Sequence, residues 1–137
     1  SKYGITCVEF TKMDSVSFLK EFKEFVDIVH LDSWDLNMLD PLPSALHGWR
    51  EFECVKDKVI EGGIVIIDDN YKKGTWVDWN MINSEGVVSS VRVDVIFPCV
   101  GKGAHVLDWI KRGNDNNWKL LDEGYAGTNV KLIFQKI

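Results

Sequence analysis

Positive charge is scarce in this sequence. Sixteen Lys and Arg stand against 21 Asp and Glu, a formal net charge of −5, and no basic cluster interrupts the acidic excess. Binding to a phosphate backbone needs the opposite balance, so nucleic acid is not expected as a partner. Cysteine is scarce too. Cys7, Cys54 and Cys99 are odd in number and form no CxxC pair, which argues against a disulfide framework and a structural zinc site and leaves them as reduced, small apolar side chains. Only three prolines occur in 137 residues, and 45% apolar with 27% charged residues exclude a disordered, collagen-like or low-complexity chain. Long apolar runs are absent. Stretches such as Ile64–Ile67 stop far short of the roughly 20 residues that cross a bilayer, and Ser1 opens no signal-peptide pattern. The expectation is a soluble, cytoplasmic chain with no membrane partner, folded as a single domain over 1–137.

Apolar patterning predicts alternating strands and helices. Tyr3–Phe10 is β-rich, and Asp14 offers an N-cap for a helix with an apolar stripe of Val16, Leu19 and Phe22. Phe25–Leu31 is a short, mostly apolar run that fits a strand buried on both faces, and it ends in Asp32. After Pro41 and Pro43 a helix is expected over about 44–59, with Gly62 and Gly63 as its stop. Ile64–Ile67 reads as a second buried strand, and it too finishes in polar groups, Asp68, Asp69 and Asn70. From about 71 to 90 the pattern is irregular, with Trp76 and Trp79 among polar residues, and reads as a long loop or cap. Val91, Val93 and Val95 alternate as in a strand, Gly101-Lys102-Gly103 leads into a helix that stops at Gly113, and Trp118–Leu121 and Val130–Phe134 close the chain as an antiparallel hairpin. This order predicts an α/β fold: a Rossmann-like, doubly wound, mostly parallel sheet with a C-terminal antiparallel hairpin.

In open parallel sheets ligands gather beyond the carboxyl ends of the strands. Asp32, Asp35, Asp68, Asp69 and Asn70 fall in that zone. Neighbouring strands lie about 5 Å apart, so two acids ending adjacent strands need a counter-ion. Two carboxylates and an amide carbonyl suit a hard cation such as Mg²⁺, although Asp32 could equally cap the next segment and Asp68-Asp69-Asn70 serve as turn chemistry. His30 fits a hydrogen-bonded core residue. His47 and His105 lie on helices without evident partners, and no Gly-x-Ser-x-Gly elbow is present for a hydrolase. Trp76 and Trp79 could wall an aromatic substrate pocket or pack a cap.

Taken together, Val26-Asp27-Ile28-Val29-His30-Leu31-Asp32-Ser33-Trp34 and Gly63-Ile64-Val65-Ile66-Ile67-Asp68-Asp69-Asn70 resemble the fourth and fifth strands of class I S-adenosylmethionine-dependent methyltransferases. Within that superfamily they are most similar to the metal-dependent O-methyltransferases typified by catechol O-methyltransferase and to related small-molecule methyltransferases. The resemblance implies divalent metal ligands at Asp32, Asp69 and Asn70, and cofactor contacts at Met13, Asp14, Asp32, Ser33 and Trp34. It also implies that the closing segments are the family's terminal hairpin. The family's catalytic Lys falls at Asp35, which cannot serve as a cationic partner for a phenolate and is left as a proton acceptor. The first two strands and the Gly-rich loop of the family would lie upstream of Tyr3. Alternatively, Gly101-Lys102-Gly103 stands in for that loop in a permuted order, with Asp122 or Glu123 as the ribose acid. The expected function is S-adenosylmethionine-dependent methyl transfer to a small-molecule acceptor, with Mg²⁺ or a similar ion assisting, as the C-terminal half of a longer domain. The alternative is a non-catalytic module for binding or assembly. In either case an N-terminal half or another chain is expected to cover the open sheet edge.

Overall fold

The computed structural model describes residues 7–113 and 115–137. Its elements in chain order are α1 (Ser15–Glu21), β1 (Val26–Leu31), α2 (Leu42–Val55), β2 (Val59–Lys72), β3 (Trp76–Ile82), β4 (Val88–Asp94), β5 (Cys99–Gly101), α3 (Ala104–Lys111), β6 (Trp118–Ala126) and β7 (Asn129–Lys136). The strand expected over Tyr3–Phe10 lies partly outside the described residues, and 7–10 are exposed and carry no strand. No helix among the described residues is long and apolar enough to cross a membrane.

Local chemistry explains the helices. Asp14 caps α1, its carboxylate accepting from the Ser17 amide at 3.0 Å. In α2, Pro43 sits in the first turn, where its missing N–H is harmless, and Ala45, Phe52 and Val55 make a buried stripe. The helix ends at Val55, earlier than expected. Gly62 and Gly63 belong to β2, and the chain turns through 56–58, where the Lys58 amide donates to the Val55 carbonyl.

The architecture is mixed α/β, but the main sheet is not mostly parallel. Its order is β1-β2-β7-β6, with β5 also paired to β2. Only β1 and β2 run parallel, while β2–β5, β2–β7 and β6–β7 are antiparallel. Connectivity explains part of this: the short turn between Ala126 and Asn129 makes β6 and β7 antiparallel, whereas the parallel β1–β2 pair needs the long crossover that α2 supplies. Nor is this part of the sheet doubly wound. Leu19 of α1, Phe52 and Val55 of α2, and Val106 and Leu107 of α3 share one core with Leu31, Val65, Ile67, Leu132 and Phe134, which places all three helices on the same face. On the other face Ile28 stays exposed and Ile64, Ile66 and Ile133 are half-buried, so β1 is buried on one side only, not on both as its composition suggested.

The segment at 71–90 is ordered rather than irregular. β3 and β4 form a separate antiparallel ribbon in which Val77, Trp79 and Met81 face the same way as Val93 and Val91. Asn83 makes the turn, its side-chain oxygen accepting from the Glu85 and Val87 amides at 2.9 Å.

Candidate functional site

The parallel pair stays in register up to Leu31 and Ile67, and its carboxyl end is where the acids lie. Asp32 follows β1 directly. Between Ile67 and Asn70 the β2–β7 ladder slips, and Asp68 and Asp69 occupy this bulge. Asp69 has φ 58° and Trp34, in the loop after Asp32, has φ 68°; among the described residues these are the only non-glycine positions with positive φ. A left-handed backbone costs an L-residue roughly 1–2 kcal/mol, and such outliers cluster at functional sites. Both lie on the rim.

Lys102 ties this rim together. Its side chain is 5% exposed, and its ammonium donates to Asp32 Oδ1 at 3.0 Å and lies 2.8 Å from Asp69 Oδ2. Burial works against the charge of Lys102, but the hydrogen bonds to Asp69 and Asp32 outweigh it and hold the amine above its ordinary range. Burial likewise opposes ionisation of Asp69, yet Lys102 and the Asn129 amide, which donates at 3.0 Å, keep its carboxyl below the usual range. Asp68 is held down in the same manner by Lys131 and His30, both hydrogen-bonded to it, against the effect of burial. Backbone geometry makes Lys102 reachable. A β-carbon on Gly101 (φ 145°) would sit 2.2 Å from the Asp69 carbonyl oxygen, and one on Gly48 of α2 would sit 2.1 Å from the Lys102 carbonyl oxygen.

The metal site implied by the resemblance does not assemble. Lys102 takes the place between Asp32 and Asp69 that a divalent ion would need. Asn70 is fully buried and turned inward. Its Oδ1 accepts from the Gly103 amide at 2.7 Å, and its Nδ2 donates to the carbonyls of Ile67, Asp68 and Val130, so it joins the bulge to α3 and β7. Asn70 is thus a structural residue. A different trio, His30, Asp32 and Asp68, brings donor atoms within 4.8 Å of one another. Its two carboxylates are already engaged by the Lys102 and Lys131 ammonium groups, which compete with any cation for the same oxygens.

The residues assigned to the cofactor fall into two groups. Asp32 and Ser33 line a cleft of about 480 Å³ with Ser15, Phe18, Val29 and Glu51, between α1 and the open edge of β1. Met13 is half-exposed and is not among the residues lining the cleft, although Ser15, two residues on, shares a hydrogen bond with Ser33 at 3.1 Å. Asp14 instead spends its carboxylate on the α1 cap. Trp34 is exposed and stacks on His47, ring centroids 4.9 Å apart. His47 is not a partnerless surface residue. It is buried, with Nε2 3.1 Å from Ser15 Oγ, 3.0 Å from Ser33 Oγ and 3.5 Å from Glu51 Oε1, and burial pushes the Glu51 carboxyl up. Hydroxyls and carboxylate meet the same ring nitrogen, so this is not a nucleophile-base-acid relay. Asp35 lies elsewhere, in a recess of about 400 Å³ with Leu36, Asp69, Tyr71 and Trp79.

No family model and no curated protein matches the chain. A solved structure does. The chain is similar to a protein from Haemophilus influenzae described as a "putative methylase", at 15% sequence identity and a TM-score of 0.43, over 91% of this chain and 52% of that one. It therefore spans about half the length of that protein.

Sequence reasoning missed Lys102, Lys131 and Asn129. The need for a counter-ion between Asp32 and Asp69 was legible, but a lysine about 30 residues further on in sequence was read only as part of a helix-entry turn or a permuted loop. Lys131 and Asn129 belong to β7, whose direct pairing with β2 brings them opposite the bulge. The signal available for them was the short polar turn before Val130. For the permuted alternative, Gly103 is packed against Leu132 and Asn70, so the loop does not lie open to a cofactor; of the two acids, Glu123 pairs with Lys72, whereas Asp122 is exposed.

Proposed function

We propose that this chain forms part of a longer S-adenosylmethionine-dependent methyltransferase domain that acts on a small molecule. The observation that carries the reading is the coincidence, at the carboxyl end of the one parallel pair, of Asp32 and Asp69 with the two strained residues Trp34 and Asp69. S-adenosylmethionine supplies an electrophilic methyl group on a sulfonium. Asp32 and Ser33 at the mouth of the cleft orient the cofactor, with Met13 and Trp34 as apolar surface beside it. Lys102 fixes Asp32 and Asp69 in one geometry, so that little ordering remains to be done on binding. Asp35, exposed in the neighbouring recess, accepts the proton that the acceptor sheds. The reading takes no step through a divalent ion, because Lys102 fills the position that the resemblance gave to it.

Isothermal titration calorimetry with S-adenosylmethionine tests this. The expected result is a saturable heat, weakened roughly tenfold or more in Asp32→Asn, the scale of one charge-assisted hydrogen bond. Absence of heat, or equal affinity in the variant, contradicts it. A second reading, a non-catalytic assembly module, is favoured by the β1 edge, which has no strand partner among the described residues and beside which Phe25 and Ile28 are exposed. It predicts no heat from S-adenosylmethionine but a stable complex with whatever covers that edge.

A further inference from the structure

We infer that the recess between the Asp32 loop and the β3–β4 ribbon is a binding pocket for a positively charged amine. Under the methyltransferase reading, on which the assignment of substrate class rests, it selects an amine-bearing methyl acceptor. Its volume of about 400 Å³ is of small-molecule size. Its lining combines two carboxylates, Asp35 and Asp69, with two aromatic faces, Tyr71 and Trp79, and one aliphatic wall, Leu36. Among the described residues no ammonium or guanidinium group lines it. Asp69 shares its charge with Lys102, so that Asp32, Lys102 and Asp69 together keep one net negative charge. Asp35 adds a second: among the described residues it has no ion pair.

Strand alternation decides which tryptophan faces the recess. Trp79, opposite Val91, lies on the apolar face of the ribbon, whereas Trp76, opposite Asp94, lies on the other. The Arg92 guanidinium sits 4.5 Å from the centre of the Trp76 ring and pairs with Asp94, so the ribbon's own cation is held on the far face and does not neutralise the recess. Tyr71 reports the same field. Burial and the charge of Asp69 push its phenol up, so it stays a neutral ring with an O–H to donate. A cation over an indole or phenol face is attracted by the ring quadrupole, and the adjacent carboxylates add direct Coulomb attraction. A neutral ligand gains only the apolar walls. An anion meets two carboxylates.

Calorimetric titration of the whole chain with benzylamine, benzyl alcohol and benzoate, which differ mainly in charge, tests the assignment. Benzylamine is expected to bind roughly tenfold more tightly than benzyl alcohol, with benzoate weakest. Asp35→Asn should cut the amine preference at least about threefold, and Trp79→Leu, which removes an apolar wall and the ring quadrupole together, should weaken both ligands and the amine more. Both positions lie outside the core, so unchanged far-ultraviolet circular dichroism serves as the control for folding, and loss of the preference in high salt is a variant-free check on the charge term. Equal affinity for amine and alcohol, a preference that survives in both variants, or no binding of any probe up to about 10 mM, beyond the millimolar range of weak specific association, overturns the inference. The same samples titrated with S-adenosylmethionine separate the two claims. Amine preference without cofactor heat supports the pocket and removes the methyltransferase reading; cofactor heat without amine preference does the reverse.

Discussion

Lys102 sets the charge balance of the rim, and the consequences of losing it follow from its burial. Its ammonium is almost wholly removed from water, whereas Asp32 and Asp69 remain partly exposed. Truncating it leaves two like charges at adjacent strand ends, one on a strained backbone. Lys102→Met should therefore destabilise the fold by about 2 kcal/mol, below the cost of breaking a fully buried pair because water reaches the acids. Chemical denaturation reads this directly. The pH dependence has a definite sign. Asp68 and Asp69 have folded pKa values below their unfolded ones, so their contribution is complete above about pH 4 and is lost as pH falls through the lower folded values. Denaturation midpoints of the native chain should thus drop steeply in that acid window, and those of Lys102→Met should drop less. Parallel curves would show that Asp69 draws nothing from Lys102.

At the scale of elements, α2 and the segment Gly101-Lys102-Gly103 are held in contact by a missing side chain. An alanine inside a helix ordinarily gains about 0.5–1 kcal/mol over glycine. At Gly48 the sign should reverse, because the new β-carbon would lie 2.1 Å from the Lys102 carbonyl oxygen and must push the lysine backbone away. Gly48→Ala is expected to cost about 1–3 kcal/mol, as overpacking does, and urea unfolding that shows a gain instead would refute this packing. The acids at Asp32 and Asp69 were legible in the sequence because strand ends and polar turns leave a local signal, as did the Asp14 cap and the closing hairpin. Sheet direction was not. A short apolar run such as Ile64–Ile67 looks the same whether its neighbour is parallel or antiparallel, and only the pairing of β7 beside β2 decides it. The ribbon was hidden for a related reason: Trp76 on one face and Trp79 on the other blur the alternation of Val77, Trp79 and Met81. Asn70 looked like a ligand because an amide after two aspartates carries no mark of being fully buried.

Among the described residues the helices cover one face of the sheet, and no helix covers the other, where Ile64, Ile66 and Ile133 are half-buried and Ile28 is exposed. Ile28 on β1 is 63% exposed and Phe25, just before the strand, 76%, and among the described residues the outer backbone groups of β1 have no ladder partner. We propose that an N-terminal half of the domain or another chain covers this edge, and that without it the chain pairs with itself despite its net charge of −5. Light scattering after size exclusion should show association that grows with concentration and is abolished by Ile28→Lys, a charge placed on the edge. A monomer at every concentration would count against this. Whether the rim after β1 and β2 receives S-adenosylmethionine decides between a methyltransferase and an assembly module. Amide chemical shifts of the isotope-labelled chain, followed as S-adenosylmethionine is added, test it most directly. Saturable shifts confined to residues 13–15, 32–34, 69 and 102 are predicted. Their absence, or saturable shifts centred on another part of the fold, would contradict the methyltransferase reading.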